Sequence, residues 1–177
     1  EAYDIDVPSS IADRLAKGVR GEIPETPGAD ESAFESVSTH VIANGVTALE
    51  AARTVAIDRG YSPMVLSSTV RGEAREAAKV HVAVAEEVRS TGNPLEPPAV
   101  VLSGGETTVT LRDATGTGGP NQEFAASAAV ELDDDGIVVA SIDTDGTDGN
   151  STVAGGIVDS ETVGTTGERR KARQSLD

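Results

Sequence analysis

The chain has 177 residues, no cysteine, and 30 acidic against 14 basic side chains, for a formal charge of -16. That composition excludes disulfides, thiolate metal sites and a cysteine nucleophile, and its negative field disfavours nucleic acid and anionic membrane surfaces as partners. No run approaches the ~18 apolar residues of a membrane span and no signal peptide is visible, so a cytoplasmic protein is expected.

Ser9-Ser10 precede Ile11, Leu15 and Val19 at helical spacing, with Gly18 and Gly21 closing the run, and a capped helix is expected there. Residues 22–32, with Pro24, Pro27 and Gly28, read as a loop. Residues 37–43 alternate weakly and run into Asn44-Gly45, a strand followed by a turn. Val46, Leu49, Ala52, Val55 and Ala56 recur at helical spacing, with Gly60 placed to end the helix. Met64-Val65-Leu66 is a short strand. The strongest helix covers residues 72–90, with Ala77, Val80, Val84 and Val88 on one side.

Gly92-Asn93-Pro94 and Pro97-Pro98 then break the chain, which places a domain boundary between segments 1–94 and 95–177. Beyond it, residues 99–102 and 107–111 read as strands. Residues 124–132 continue a helix entered at Pro120-Asn121, and residues 137–141 and 155–158 read as further strands. From Glu168 onward the charged run reads as a frayed tail. Alternating strands and helices predict an α/β class, with mostly parallel sheets, flanking helices and parts of two α/β domains.

Composition adds two expectations. Aromatics make up 2% of the chain, and Lys17, Lys79 and Lys171 are its only lysines. High acidity with scarce lysine suggests a halophilic protein from a salt-rich cytosol, where self-repulsion is screened. The chain starts at Glu1 and its one methionine is Met64, so it looks like a fragment.

Three apolar runs lead into glycine-rich polar loops, the way open α/β sheets build ligand crevices. Ser103-Gly104-Gly105-Glu106 follows a buried strand, so bare backbone N–H groups can face an anion and Glu106 can accept from a hydroxyl. A tight strand connection is the alternative. The loop Gly116-Thr117-Gly118-Gly119-Pro120-Asn121-Gln122-Glu123 ends at a helix start whose first N–H groups suit phosphate or carboxylate. It is neither a P-loop nor a dinucleotide fingerprint, and an ordinary helix start is the alternative. Asp143-Thr144-Asp145-Gly146-Thr147-Asp148-Gly149-Asn150 puts three carboxylates after a strand, oxygen ligands suited to Mg²⁺ or Ca²⁺, or a general base. An EF-hand is excluded, since Asp148 replaces its glycine; a purely structural turn remains open. His40 and His81 are isolated and are expected to pack rather than react.

Taken in order, these loops and the segment Ala154-Gly155-Gly156-Ile157-Val158-Asp159 resemble the C-terminal MOFRL domain of glycerate 2-kinases, some of which carry hydroxypyruvate reductase names. Val41-Ile42-Ala43-Asn44-Gly45, Leu66-Ser67-Ser68 and Gly72-Glu73-Ala74-Arg75-Glu76 resemble the end of that family's Rossmann-like N-terminal domain. The resemblance runs from about Val37 to Thr162, and Pro120 stands where the family carries arginine.

It implies a cytoplasmic phosphotransferase making 2-phosphoglycerate from D-glycerate, with ATP as cosubstrate and Mg²⁺ as cofactor, and no nucleic-acid or membrane partner. Asp145 and Asp148 would be catalytic and metal-binding. Ser103, Gly104, Gly105, Glu106, Gly118, Gly119, Asn121, Gln122, Glu123, Thr144 and Gly146 would bind substrate or nucleotide. A truncated member is expected, incomplete or inactive alone. The alternatives are a hydroxypyruvate reductase or a non-catalytic acidic module that binds a divalent cation.

Overall fold

The computed structural model describes residues 6–111, 115–133 and 135–176. Its elements are α1 (Ser9–Val19), α2 (Gly45–Asp58), β1 (Ser62–Val70), α3 (Ala74–Thr91), β2 (Ala99–Gly105), α4 (Pro120–Glu131), β3 (Val138–Ile142), β4 (Gly155–Asp159) and α5 (Thr166–Leu176). They fall into two compact units, residues 1–41 and residues 42–177. No helix among the described residues is long and apolar enough to cross a membrane.

The first unit holds α1. Pro8 occupies its N-cap without a side-chain cap, so Ser9 and Ser10 lie inside the first turn instead of capping it. Residues 37–43 form no strand, because nothing among the described residues pairs with them.

In the second unit Asn44 starts a helix where a turn was expected. Asn44 Oδ1 accepts from the Thr47 N–H at 3.0 Å, and Thr47 Oγ1 accepts from the Asn44 N–H at 3.3 Å. This reciprocal box satisfies two otherwise unpaired donors. Gly60, at φ +82°, follows the end of α2 in the left-handed conformation glycine adopts without strain.

Strands β1 and β2 pair in parallel, with Met64 opposite Val101 and Val65 opposite Leu102. Helix α3 is the crossover that parallel pairing requires. The pairing spans the Gly92–Pro98 break where the sequence placed a domain boundary. Residues 107–111 form no strand; Thr108 makes one parallel bridge to Glu73, and its carbonyl accepts from the Ala74 N–H at 2.9 Å. That bond satisfies the first orphan donor of α3.

The α/β class holds, with mixed pairing. Strands β3 and β4 are antiparallel, Ala140 opposite Ile157, because the Asp-rich loop between them carries no crossover helix. Helix α4 lies between α3 and this hairpin. Ala74, Ala78 and Val82 of α3 meet Phe124, Ala125, Ala128, Ala129 and Leu132 of α4, and Ile137 and Val158 close the other side. Small side chains let these backbones approach closely: a Cβ on Gly156 of β4 would stand 2.9 Å from Ala125 Cβ.

The segment expected to be a frayed tail is helix α5, begun by its own capping box. The Thr165 N–H donates to Glu168 Oε2 at 3.0 Å, and the Glu168 N–H donates to Thr165 Oγ1 at 3.2 Å. Arg169 ties the helix to the end of α4. Its guanidinium donates to the carbonyls of Leu132 (2.8 Å), Val163 (3.1 Å) and Val130 (3.4 Å), and pairs with Asp133. A cation there satisfies terminal carbonyls and complements the helix dipole.

Candidate functional site

The site is built around the entry to α4. Gly119 is the extended N-cap and Pro120 opens the helix, where a missing N–H is harmless. The next two N–H groups are not free for an outside anion, contrary to the sequence expectation, because Asp148 fills them. Asp148 Oδ1 accepts from the Asn121 N–H at 3.0 Å and from Asn121 Nδ2 at 3.2 Å. Oδ2 accepts from the Gln122 N–H at 2.8 Å and from Gln122 Nε2 at 3.0 Å. Asp148 is fully buried, 0% exposed. Burial pushes its carboxyl up, but the four N–H donors outweigh burial and hold it below the usual carboxylate range. A residue expected to ligate metal thus caps a helix from another loop.

Further bonds close this corner. Ser141 Oγ donates to Asn121 Oδ1 at 2.7 Å, and Gln122 Nε2 also donates to Ser151 Oγ at 2.8 Å. Asn150 Oδ1 accepts from the Gly118 N–H at 2.9 Å, while Asn150 Nδ2 donates to the Gly116 carbonyl at 3.3 Å. The second and third glycine-rich loops are therefore one structure.

Their contact leaves no room for side chains. A Cβ on Gly119 would lie 2.5 Å from Asp148 Oδ1, and one on Gly149, at φ +60°, would lie 2.2 Å from the Gly118 carbonyl oxygen. Gly149→Ala is expected to destabilise the protein by about 2 kcal/mol, combining steric overlap with a left-handed backbone. Gly146→Ala, at φ +93° with nothing within 4 Å of the new Cβ, should cost only about 1 kcal/mol. Urea unfolding of both variants measures the difference.

Asp145 stands differently from Asp148. It is exposed, and its Oδ1 accepts from the Thr147 N–H at 2.8 Å and Thr147 Oγ1 at 3.0 Å. Its Oδ2 has no partner among the described residues. Thr144 and Gly146 flank it in the same exposed turn. No group of three His, Cys, Asp or Glu side chains among the described residues is arranged to hold a metal ion. A cation on Asp148 would have to displace its N–H donors. The expectation that Asp148 binds a metal therefore does not fit this donor set.

The first loop closes β2. Gly105 sits against β1, where a Cβ would fall 2.1 Å from the Val70 carbonyl oxygen, and the same carbonyl accepts from the Glu106 N–H at 2.9 Å. Gly104 packs on Leu49, 3.4 Å from the place its Cβ would take, and Glu106 is exposed. No described contact ties Glu106 to the other two loops. Ser103 does reach toward α4, through a residue the sequence reading set aside. His81 Nε2 lies 2.7 Å from Ser103 Oγ, and the His81 ring meets Phe124 edge-on at 5.2 Å.

Glu123 completes the set. Its Oε1 is buried without a hydrogen-bond partner, 4.0 Å from Arg75 Nε. Burial pushes its carboxyl up, and the Arg75 charge offsets part of that rise. Glu73, 3.8 Å from Arg75 Nη2, is held low, chiefly by the Thr110 hydroxyl it accepts. The exposed carboxylates of these loops, Glu106 and Asp145 through Oδ2, are both acceptors. They suit a hydroxyl-bearing ligand better than a bare anion.

Residues 99–177 match the model of the MOFRL family. They belong to that family. The MOFRL match continues through α5, beyond the point near Thr162 where the resemblance in the sequence faded. The chain is 40% identical over 164 residues to a glycerate 2-kinase of Pyrococcus horikoshii, covering 92% of the chain and 37% of that protein. It is 43% identical to a putative hydroxypyruvate reductase of Agrobacterium vitis, covering 88% of the chain and 34% of the relative. A glycerate kinase crystal structure from Thermotoga maritima superimposes with a TM-score of 0.73 at 36% identity, covering 77% of this chain and 33% of that one. The chain spans little more than a third of the length of these relatives. The glycine-rich loops, α4 and the β3–β4 hairpin all lie within the MOFRL segment.

Sequence reasoning missed His81, Arg75, Ser141 and Asn150. Asn150 left a signal as the residue after the Asp148-Gly149 turn, and Arg75 as part of the Gly72–Glu76 motif. The others act through contacts between distant elements.

Proposed function

We propose that this chain forms the glycerate-handling part of an ATP-dependent glycerate 2-kinase. The observation that carries this reading is the likeness to glycerate 2-kinases over more than nine-tenths of the chain. The joined loops at the start of α4 and the surplus of open acceptors agree with it. The 2-hydroxyl oxygen of D-glycerate attacks the γ-phosphorus of ATP, the bond to the bridging oxygen of ADP breaks, and the hydroxyl proton passes to a carboxylate. Asp145 is the carboxylate for that step, exposed and with one free oxygen. Asp148 holds the Asp145 turn against α4. Glu106, exposed at the end of β2, offers the glycerate hydroxyls a further acceptor. Mg²⁺ enters as part of the nucleotide substrate, held by its phosphates. Phosphoryl transfer of this kind depends on positioning and charge neutralisation, which rigid loops supply.

The test replaces the matching segment of the Pyrococcus horikoshii enzyme with this chain and follows 2-phosphoglycerate formation from ATP and D-glycerate. Turnover within about 10²-fold of the parent is expected, since the chain departs from the family at Pro120. A folded chimera without turnover sinks the proposal. Oxidation of NADH by hydroxypyruvate would favour the reductase reading instead. Calcium binding with neither activity would favour the cation-binding module.

A further inference from the structure

The contact between His81 and Ser103 fixes where two protons sit. His81 lies on α3 with Nδ1 2.7 Å from the carbonyl oxygen of Ala77, one turn earlier. A carbonyl only accepts, so Nδ1 must carry the hydrogen. In the neutral ring Nε2 is then bare, and the Ser103 hydroxyl 2.7 Å away must be the donor. The edge of the Phe124 ring holds the imidazole plane in this orientation. Ser103 spends its only proton inward and keeps its lone pairs for the ligand side. It is also the last side chain before the Gly104-Gly105 turn at the carboxyl ends of the parallel strands β1 and β2, where α/β sheets bind ligands.

We infer that His81 is a positioning residue that makes Ser103 an acceptor-only group, selecting ligands that present a hydroxyl there and disfavouring ligands that present a methyl, carbonyl or carboxylate. The inference rests on the sugar-acid reading above for the identity of the ligand. With the 2-hydroxyl assigned to Asp145, Ser103 accepts from the 3-hydroxyl of D-glycerate. D-lactate, which carries a methyl at that carbon, leaves the Ser103 lone pairs unpaired. Leaving a buried acceptor unmatched is the kind of discrimination that binding sites achieve well.

Two measurements test this on the chain itself. Long-range ¹H–¹⁵N correlation spectra report which ring nitrogen of His81 is protonated, independently of any ligand. The Nδ1–H tautomer is expected, and an Nε2–H tautomer overturns the inference. Calorimetric titration then compares D-glycerate with D-lactate. The wild-type chain should prefer D-glycerate by at least about tenfold, Ser103→Ala should abolish the preference, and His81→Phe, which frees the hydroxyl to rotate, should shrink it to a few-fold. A purely structural role for His81 would lower stability and leave the ratio unchanged, which overturns the proposal. If neither acid binds while the Nδ1–H tautomer is found, the ligand selection fails, and the glycerate-kinase reading is decided separately by turnover of the chimera. If D-glycerate binds and D-lactate binds equally well, only the selection fails.

Discussion

Asp148→Ala is expected to destabilise the protein by about 3 kcal/mol, lowering the melting temperature by about 10 °C. The side chain is fully buried and accepts four hydrogen bonds from Asn121 and Gln122. Alanine leaves two helix N–H groups and Asn121 Nδ2 without partners, takes from Gln122 Nε2 one of its two acceptors, and opens a small void. Loss of an ordinary N-cap costs about 1 kcal/mol, and the remainder comes from the orphaned amides. Asp148→Asn keeps the shape but turns an NH₂ toward donors, so it should cost about 2 kcal/mol.

The sign of the pH dependence follows from the carboxyl's direction of shift. Because its folded value lies below the ordinary one, the stabilisation is complete above the unfolded value near 4 and lost as pH falls through the folded value. The stability gap between wild type and Asp148→Asn should therefore be constant from pH 5 to 8 and close below about pH 4. Urea titrations across that range read it directly. A gap that widened on acidification would mean the carboxyl is protonated in the folded protein.

Asp145→Asn, tested in the Pyrococcus chimera, should lower kcat by about 10²-fold while leaving stability within about 0.5 kcal/mol of wild type. Asparagine keeps the Oδ1 acceptor that takes the Thr147 N–H and hydroxyl, so the turn survives. What it loses is the basic oxygen, Oδ2. The opposite behaviour of two aspartates three residues apart is the diagnostic outcome: Asp148 variants lose stability, Asp145 variants lose turnover. Unchanged kcat in Asp145→Asn would remove Asp145 from the reaction and with it the mechanism proposed for this site.

Much of the local structure was legible in the chain. The apolar spacing of Val46, Leu49, Ala52 and Ala56 marked α2, Gly60 and Gly92 marked helix ends, and Pro120 marked the entry to α4. These signals are local because backbone hydrogen bonding and steric limits act within a few residues. The helix at 166–176 was legible too, in the spacing of Thr165 and Glu168, but its high charge masked the cap. The strand read at 107–111 failed for another reason. Its alternation is real, yet Thr108 finds only Glu73 as a neighbour, and a strand exists only where a partner lies alongside.

The candidate site divides in the same way. The glycine-rich loops and their carboxylates were visible as a set, and the position of Ser103 near the end of a strand followed from its neighbours in sequence, although that strand is half-buried rather than buried. The roles within the set were not. Asp145 and Asp148 occur in the same motif with the same chemistry. One is a helix cap and the other a free carboxylate because α4, 26 to 27 residues earlier, presents its unpaired N–H groups to only one of them.

His81 shows the same limit from the other side: its neighbours Ala77 and Val80 read as one apolar helix face, whereas the structure buries Ala78 and Val82 and leaves Val80 exposed, and nothing near His81 in the chain announces Ser103, 22 residues on. The sequence by itself determined the class of fold, the family and the loops that carry polar groups, since these depend on local geometry and order along the chain. Only the tertiary structure decided which donor meets which acceptor. Hydrogen bonds between distant elements depend on ångström-scale placement that spacing along a chain does not specify.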